Sequence, residues 1–401
     1  MTGDLGPEGR TDHRSLRVLV LNPGSSTLKA AVLEPPGREA LATTIVEWGA
    51  DATRGMGRAS GVTDVLGAVE AVGVARASIN AVGYRVVHGG TRFIDPTLIE
   101  DPIVDAIEEL AELAPLHNRI AAETIRAARR TLPGIPHVAA FDTAFHASLP
   151  PAGYRYPVPE AWFRDWGIRR FGFHGLSVAW SVARAAELLG RPVDGLRLVI
   201  AHLGSGCSVT AVDGGRSVDT SMGMTPLEGL MMGTRAGSID PGILLALLRD
   251  RRATLAELED VLDHRSGLLG LSGRSADVRE LLVAEAAGDD AAALALELFV
   301  RRAAAGIAAA ATCLPAIDAV VFTGGIGENS GPMRARIAAS LAVLGVPPLP
   351  DADGREDKVL TQAARAPAVV RIQAREDIVI AEAVRAVLRY ASRSSDGPLG
   401  G

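Results

Sequence analysis

Five short segments carry the residue types needed to hold and turn over an anion. They read YRVVHGG (84–90), APLHN (114–118), FDTAFH (141–146), RRFGFHG (169–175) and GTRAGSIDPG (233–242). Each sets histidine, arginine or aspartate beside glycine, alanine or large apolar residues. An anionic substrate needs that mixture: cations to neutralise it, small residues to admit it, and apolar walls to exclude water. One such histidine or arginine is equally at home in a core or on a surface; five compact clusters are harder to assign that way. Three Gly-rich turns accompany them, in LNPGSSTLK (21–29), AHLGSG (201–206) and VVFTGGIGENS (320–330). Exposed backbone N–H groups converge at such turns with no Cβ in the way, which suits phosphate. Any one of them is equally explained as a tight bend without a ligand. None is a Walker loop, and no G-x-G-x-x-G occurs.

The elements that must position these segments show a repeated plan. LRVLVLNPGSSTLKAAVLEPPG (16–37) and LRLVIAHLGSGCSVTAVDGG (196–215) each read as strand, Gly-Ser turn, strand and turn, with Gly24 and Gly204 aligned. Two such hairpins, each opening a long α/β half, imply a duplicated domain facing a shared cleft. A buried-type strand at Ala319–Thr323 precedes the third turn, and a helix is predicted from near Pro332. Helical spacing of apolar residues predicts helices over Asp101–Ala114, Arg119–Thr131, Ser177–Leu189, Asp240–Arg251, Ala291–Cys313 and Asp377–Tyr390. The Pro-rich stretch at Leu149–Pro151 marks a domain break, and the chain recrosses near Ile378. The expected division is therefore 1–150 plus 378–401 against 151–377.

Composition excludes several other classes of function. A chain of 401 residues exceeds one ordinary core. A net charge of −6 and 4% aromatic residues argue against nucleic-acid binding. The polar N-terminus lacks the apolar core of a signal peptide, and Ala303–Ala311 is too short to span a membrane, so a cytoplasmic protein is expected. Cys207 and Cys313, far apart, read as reduced, buried thiols. The tail SRSSDGPLGG (392–401) reads as flexible. Among 41 Lys and Arg residues only Lys29 and Lys358 are lysines, and Lys29 sits beside a Gly-Ser turn.

The motifs LNPGSSTLK, YRVVHGG, APLHN, FDTAFH, RRFGFHG, AHLGSG, MTPLEGLMMGTRAG and FTGGIGENS, in this order, closely resemble the signature series of the acetate kinase family. The resemblance runs from about Val18 to Val384. It implies the acetate and sugar kinase, Hsp70 and actin superfamily: α/β, two ribonuclease-H-like domains with a duplicated βββαβαβα core and an interdomain nucleotide cleft. It also implies a homodimer, with nucleotide binding and dimerisation in the C-terminal domain and the substrate on the N-terminal side. The implied reaction is reversible transfer of the γ-phosphoryl group of ATP to acetate, giving acetyl phosphate and ADP. Mg²⁺ is implied as the metal, with Mn²⁺ as its alternative.

An acid with a pKa of about 4 is already ionised at neutral pH, so the nucleophile needs no general base. The difficulty is electrostatic, and catalysis must rest on positioning and charge cancellation. By resemblance Arg85 and Arg235 neutralise the reacting groups, His174 donates to the phosphoryl group, His117 assists, and Asp142 orients or serves the metal. Asn22 and Glu376 are the implied metal contacts, although Glu376 by itself also reads as a helix-start acid. Ser25, Thr27 and Lys29 line the implied phosphate path, with His202, Gly204, Ser205 and Gly206 across from them. Asp277, Arg279, Gly324, Gly325, Ile326, Gly327 and Asn329 complete the implied nucleotide site. Val87, Leu116, Phe173 and Pro226 match the residues enclosing the acetate methyl, and a branched Val87 favours acetate over propionate.

The sequence departs from the family pattern at several points. Ser205 stands where asparagine is usual, Arg119 replaces a proline, and Leu176 and Val178 replace polar residues. Ser238 replaces an aspartate and Ala374 a threonine. These put efficiency and donor preference in question without removing a residue assigned to chemistry. The rival readings are a propionate or butyrate kinase, and a nucleotide-binding regulator without turnover. A sugar kinase is disfavoured, because sugar hydroxyls need a base.

Overall fold

The computed structural model describes residues 15–24, 27–48, 56–114, 117–363 and 366–395. The first half runs β1 (Val18–Pro23), β2 (Thr27–Leu33), β3 (Ala40–Glu47), α1 (Met56–Ala71), β4 (Ala81–Val86), β5 (Thr97–Leu98), α2 (Asp101–Glu109), α3 (Asn118–Thr131) and β6 (His137–Phe141). Then come α4 (Pro151–Tyr154), α5 (Glu160–Trp166) and α6 (Gly175–Leu189). The second half opens with β7 (Arg197–Leu203), β8 (Cys207–Asp213) and β9 (Arg216–Thr220). Helices α7 (Pro241–Arg249), α8 (Leu255–His264), α9 (Gly267–Ser272), α10 (Val278–Ala286) and α11 (Asp290–Ala311) follow. It closes with β10 (Ala319–Thr323), α12 (Gly324–Asn329), α13 (Gly331–Ser340), β11 (Lys358–Ala363), β12 (Ala366–Arg371) and α14 (Glu376–Ser395).

Each half builds one six-stranded mixed sheet, ordered β3-β2-β1-β4-β6-β5 and β9-β8-β7-β10-β12-β11. The two orders are the same, so the expected duplicated βββαβαβα core is present in both. Each half adds an antiparallel strand beside its last parallel strand, β5 of two residues in the first and β11 of six in the second. Both hairpins form as expected, β1 against β2 and β7 against β8. The central strands β1, β4 and β6 are mutually parallel, as are β7, β10 and β12. Such strands are buried on both faces, which is why they read as continuous apolar runs.

Three apolar layers hold the molecule together. One packs the outer face of the first sheet against α1, α2 and α3, and one packs the second sheet against α10, α11 and α13. The third lies between the sheets and contains α6 and α14. These two helices cross over: α6 follows the first sheet yet packs on β7 and β10, while α14 follows the second sheet yet packs on β1, β4 and β6. A Cβ on Gly83 of β4 would lie 2.6 Å from Ile380 Cγ2 of α14, so glycine there permits the close approach.

Several expectations need correction. Cys313 is exposed rather than buried, because α11 ends at Ala311 and the thiol falls on the open turn after it. Helix α14 runs to Ser395, four residues into the stretch expected to be a tail. Helix α2 stops at Glu109 and tightens into a 3₁₀ turn over Leu110–Glu112. The helix expected near Pro332 is α13, capped by Ser330, whose hydroxyl accepts from the Met333 N–H.

Candidate functional site

The parallel strands of both sheets end at one cleft of about 810 Å³. In open α/β sheets the carboxyl ends of parallel strands are where ligands sit. On β1, Val18 and Val20 face the inter-sheet layer, and strand alternation turns Asn22 the same way. The same alternation carries Arg85 beyond Ala81 on β4, and Asp142 beyond Val138 and Ala140 on β6.

These three side chains form one knot with the start of α14. Arg85 Nε donates to Asp142 Oδ1 and Oδ2 at 3.0 and 3.1 Å, and Nη2 donates to Oδ2 at 2.6 Å. Arg85 Nη1 donates to Asn22 Oδ1 at 3.3 Å, and Asn22 Nδ2 donates to Glu376 Oε2 at 3.0 Å. Glu376 Oε2 lies 3.6 Å from Arg85 Nε. Burial alone would weaken the Arg85 cation, but Asp142 and Glu376 outweigh it and raise its pKa. Burial pushes the Asp142 carboxyl up to about 6 against the pull of Arg85, so it is ionised at neutral pH.

The opposite wall carries imidazoles and glycines. His174, the residue before α6, holds a left-handed φ of 58°, and its ring stacks on His202 at 4.1 Å between centroids. His174 Nδ1 is 2.9 Å from Ser208 Oγ, and His202 Nδ1 is 2.9 Å from Ser177 Oγ. Burial, then His202, Arg85 and Arg235, hold His174 well below the usual histidine range. Burial takes His202 and His117 down to about 4, with Arg235 and Arg85 adding to the effect at His117. All three rings are therefore neutral at pH 7.

Arg235 reaches the cleft from the loop after β9, and its Nη1 donates to Pro226 O at 3.2 Å. Burial lowers its pKa, with Asp263 opposing, but a guanidinium stays charged. A Cβ on Gly206 would lie 3.3 Å from His174 Nε2 and 3.6 Å from Arg235 Nη1. Glycine at this hairpin tip thus leaves both groups open to the cleft.

Of the sequence-derived candidates, Asn22, Thr27, Lys29, Arg85, His117, Asp142 and Glu376 line the cleft. So do Val87, Phe173, His174, Pro226 and Arg235, together with His202, Gly204, Ser205, Gly206, Gly324 and Gly325. Ser25 and Leu116 lie outside the described residues. Ile326, Gly327, Asn329, Asp277 and Arg279 do not line it. Asn329 Nδ2 turns back to Gly325 O at 2.8 Å, and Asp277 caps α10 and pairs with exposed Arg279. The Asp277 loop still adjoins the second hairpin, since a Cβ on Gly233 would lie 3.4 Å from Ala276 Cβ and 3.5 Å from Ser205 O.

The sequence reading missed four contributors. Ser208 and Ser177, which hold the two histidines, sit inside the quoted motifs' reach and could have been found by asking what each buried imidazole bonds. Glu328 lines the floor and accepts from the Ala374 N–H at 2.8 Å, tying α12 to the segment before α14. Strand β3 contributes Thr43–Ile45 to the rim, with no motif to announce it.

The oxygen donors Asn22 and Glu376 fit a hard divalent cation. Among the described residues no group of three His, Cys, Asp or Glu is arranged to cage a metal. Two protein donors suit Mg²⁺, which keeps water and substrate phosphate in its shell.

The comparisons with known proteins agree on one family. The Acetokinase family profile matches residues 17–382. An acetate kinase from Deinococcus radiodurans is 47% identical over 344 residues, spanning 82% of this chain and 86% of that protein. The crystal structure of Porphyromonas gingivalis acetate kinase gives a TM-score of 0.83 at 32% identity, covering 93% of this chain and 100% of that one. A Francisella tularensis propionate kinase gives 0.80 at 33% identity, covering 92% and 99%. With the profile running over most of its length and such a relative sharing nearly half the aligned residues, the chain belongs to the acetokinase family.

Proposed function

We propose that this chain is an acetate kinase, transferring the γ-phosphoryl group of ATP to acetate and back. The observation that carries the reading is the arrival of Arg85 and Arg235, from opposite halves, in one cleft beside neutral imidazoles. Two anions must meet in line, and two half-buried guanidiniums offset the repulsion between them. His174 supplies a neutral ring N–H to the phosphoryl oxygens, and His117 sits beside both arginines. Asp142, held by three hydrogen bonds to Arg85, orients that cation rather than taking a proton from a nucleophile already ionised. Val87, Phe173 and Pro226 wall the carboxylate end and exclude water.

The nucleotide lies along Thr27, Lys29, His202 and the Gly204–Gly206 tip, with Gly324 and Gly325 beneath it. Its adenosine end extends towards Ile326, Gly327, Asn329, Asp277 and Arg279. Asn22 and Glu376 would hold Mg²⁺, or Mn²⁺ in its place, which when bound supplies charge neutralisation to the phosphate oxygens. We read 1–150 with 378–401 as one domain and 151–377 as the other, supported by the separate sheets. We read the protein as cytoplasmic on its similarity to acetate kinases. No helix of the described residues is long and apolar enough to cross a membrane.

A homodimer is supported by α7, PGILLALLR, which buries no residue and leaves Ile243, Leu245 and Leu248 exposed by 49, 66 and 41%. A second copy of the chain is the occupant proposed for that face; a monomer in sedimentation would remove it. The similarity to a propionate kinase keeps that acid as a second substrate. One methylene against Val87 costs about 1–3 kcal/mol, so propionate is the poorer substrate.

The test is hydroxamate trapping of acyl phosphate from acetate and Mg·ATP, with Arg235→Ala beside the parent. Product from the parent and a loss of about a thousandfold in the variant are expected. Equal rates would overturn the assignment.

A further inference from the structure

We infer that Ser208 and Ser177 lock His174 and His202 in the Nε2–H tautomer, aiming two ring donors side by side at the second hairpin tip. The inference rests on the phosphoryl-transfer reading above and adds two positioning residues to it.

The argument begins with proton accounting in a dry interior. Ser208 and Ser177 are fully buried, and each hydroxyl meets one imidazole Nδ1 at 2.9 Å. Among the described residues neither hydroxyl has another side-chain or backbone acceptor. If Nδ1 carried the proton and donated to serine, the serine hydrogen would be buried with nothing to accept it. A buried donor left unpaired costs about 1–3 kcal/mol. If serine donates to a bare Nδ1, every buried hydrogen is satisfied and Nε2 carries the ring proton. That proton then faces the cleft, where a ligand oxygen accepts it.

The geometry of the two rings agrees with this assignment. His174 Nε2 lies 3.3 Å from a Cβ built on Gly206, and His202 Nε2 lies 3.8 Å from one built on Gly204. Both Nε2 atoms therefore point at the glycines flanking Ser205. The rings are stacked at 4.1 Å with 21° between their planes, so the two donors lie in nearly parallel planes. Burial keeps both rings neutral, and the Arg85 charge adds to it at each. The device is symmetrical in origin: Ser208 belongs to β8 and Ser177 to α6, so the sheet holds one ring and the crossing helix the other.

The experiment is ¹⁵N NMR of the histidine-labelled full-length protein, with the His174 ring assigned by its disappearance in His174→Gln. At pH 7 the parent should show His174 protonated on Nε2 and bare at Nδ1. Ser208→Ala should give a mixed tautomer signal and a kcat lowered about tenfold, with KM for ATP and acetate little changed. Ser208→Thr, which keeps the hydroxyl, should restore both. A parent with the proton on Nδ1, or one spectrum for parent and Ser208→Ala, overturns the lock. A changed spectrum with unchanged kcat upholds the lock and overturns the role given to His174 in transfer.

Discussion

Matched by strand register, Asn22, Arg85 and Asp142 of the first sheet correspond to His202, Thr323 and Ala374 of the second. The pair Val18–Ala81 corresponds to Leu198–Ala319, and four residues further along stand Asn22, Arg85 and His202, which line the cleft, and Thr323, which lies just behind Gly324 at its edge. Gly83 pairs with Val138 as Val321 pairs with Val370, which sets Asp142 against Ala374. One fold plan therefore presents the same three strand ends twice with different chemistry. The first sheet ends in a charged knot that fixes a guanidinium. The second ends in a neutral ring, a hydroxyl and a methyl, backed by glycines. Side-chain charge sits where one anion must be gripped, and bare backbone sits where a larger ligand needs room. Arg235 is the exception, a cation supplied to the neutral side by a loop rather than by a strand end.

The comparison is tested most severely by giving the first sheet the second sheet's residue. Arg85→Thr leaves Asp142 and Glu376 buried without their cation. Breaking a buried pair in this way costs about 3–5 kcal/mol, and losing the guanidinium should lower kcat by about a thousandfold or more. Denaturant unfolding and the hydroxamate assay read the two effects separately. Adding Asp142→Ala to Arg85→Thr should recover part of the stability but none of the activity. A double variant no more stable than the single one would mean that the knot's carboxylate was not what the arginine protected.

Acid should distinguish the two walls. Burial holds His146, which bonds Ser217 of β9 and the Phe173 carbonyl, at about 4. The unfolded chain takes up a proton near the ordinary value of 6.5, but the folded one does not. Stability from this group is complete above pH 6.5 and falls as pH drops to about 4, by roughly 3 kcal/mol. His146→Gln should lessen the fall between pH 6.5 and 4, as read by thermal unfolding, the other buried histidines supplying the remainder. Because His117, His174 and His202 stay neutral in that window, any kcat limb near 6 should come from Asp142 and vanish in Asp142→Asn. A limb near 6.5 that persists in Asp142→Asn would place a charged imidazole in the cleft.

The legible part of this molecule was what a chain writes locally. Both hairpins, the strand Ala319–Thr323 and the Pro332 helix start follow from apolar runs and turn chemistry at neighbouring positions. The clusters around Arg85, Asp142, His174 and Arg235 were legible as residue types, and the cleft gathers them. What stayed hidden is relational. Strand β5 is two residues long and exists only because β6 has a free edge. The reciprocal crossing of α6 and α14 has no local signal, since both look like ordinary amphipathic helices. Ser208 and Ser177 gain their meaning only when buried imidazoles are set against them. Cys313 read as buried because a reduced, buried thiol is the ordinary state of a lone cysteine in a cytosolic chain, but it falls beyond the last helical turn.

The smallest effect is also the sharpest statement about the second sheet. Thr323 occupies the register position of Arg85, fully buried, and its Oγ1 has no hydrogen-bond partner among the described residues. A hydroxyl that makes no bond in the folded state has given up its bonds to water for nothing, so deleting it should not hurt. Thr323→Val keeps the shape and removes the oxygen, and should change stability by about 1 kcal/mol or less, in the stabilising direction. Activity should be unchanged, because Gly324 rather than the threonine side chain faces the cleft. A loss of more than about 1 kcal/mol would show the hydroxyl to be satisfied by a polar partner. The second sheet's middle strand would then carry a polar contact of its own, and the contrast with the Arg85 knot would be one of degree.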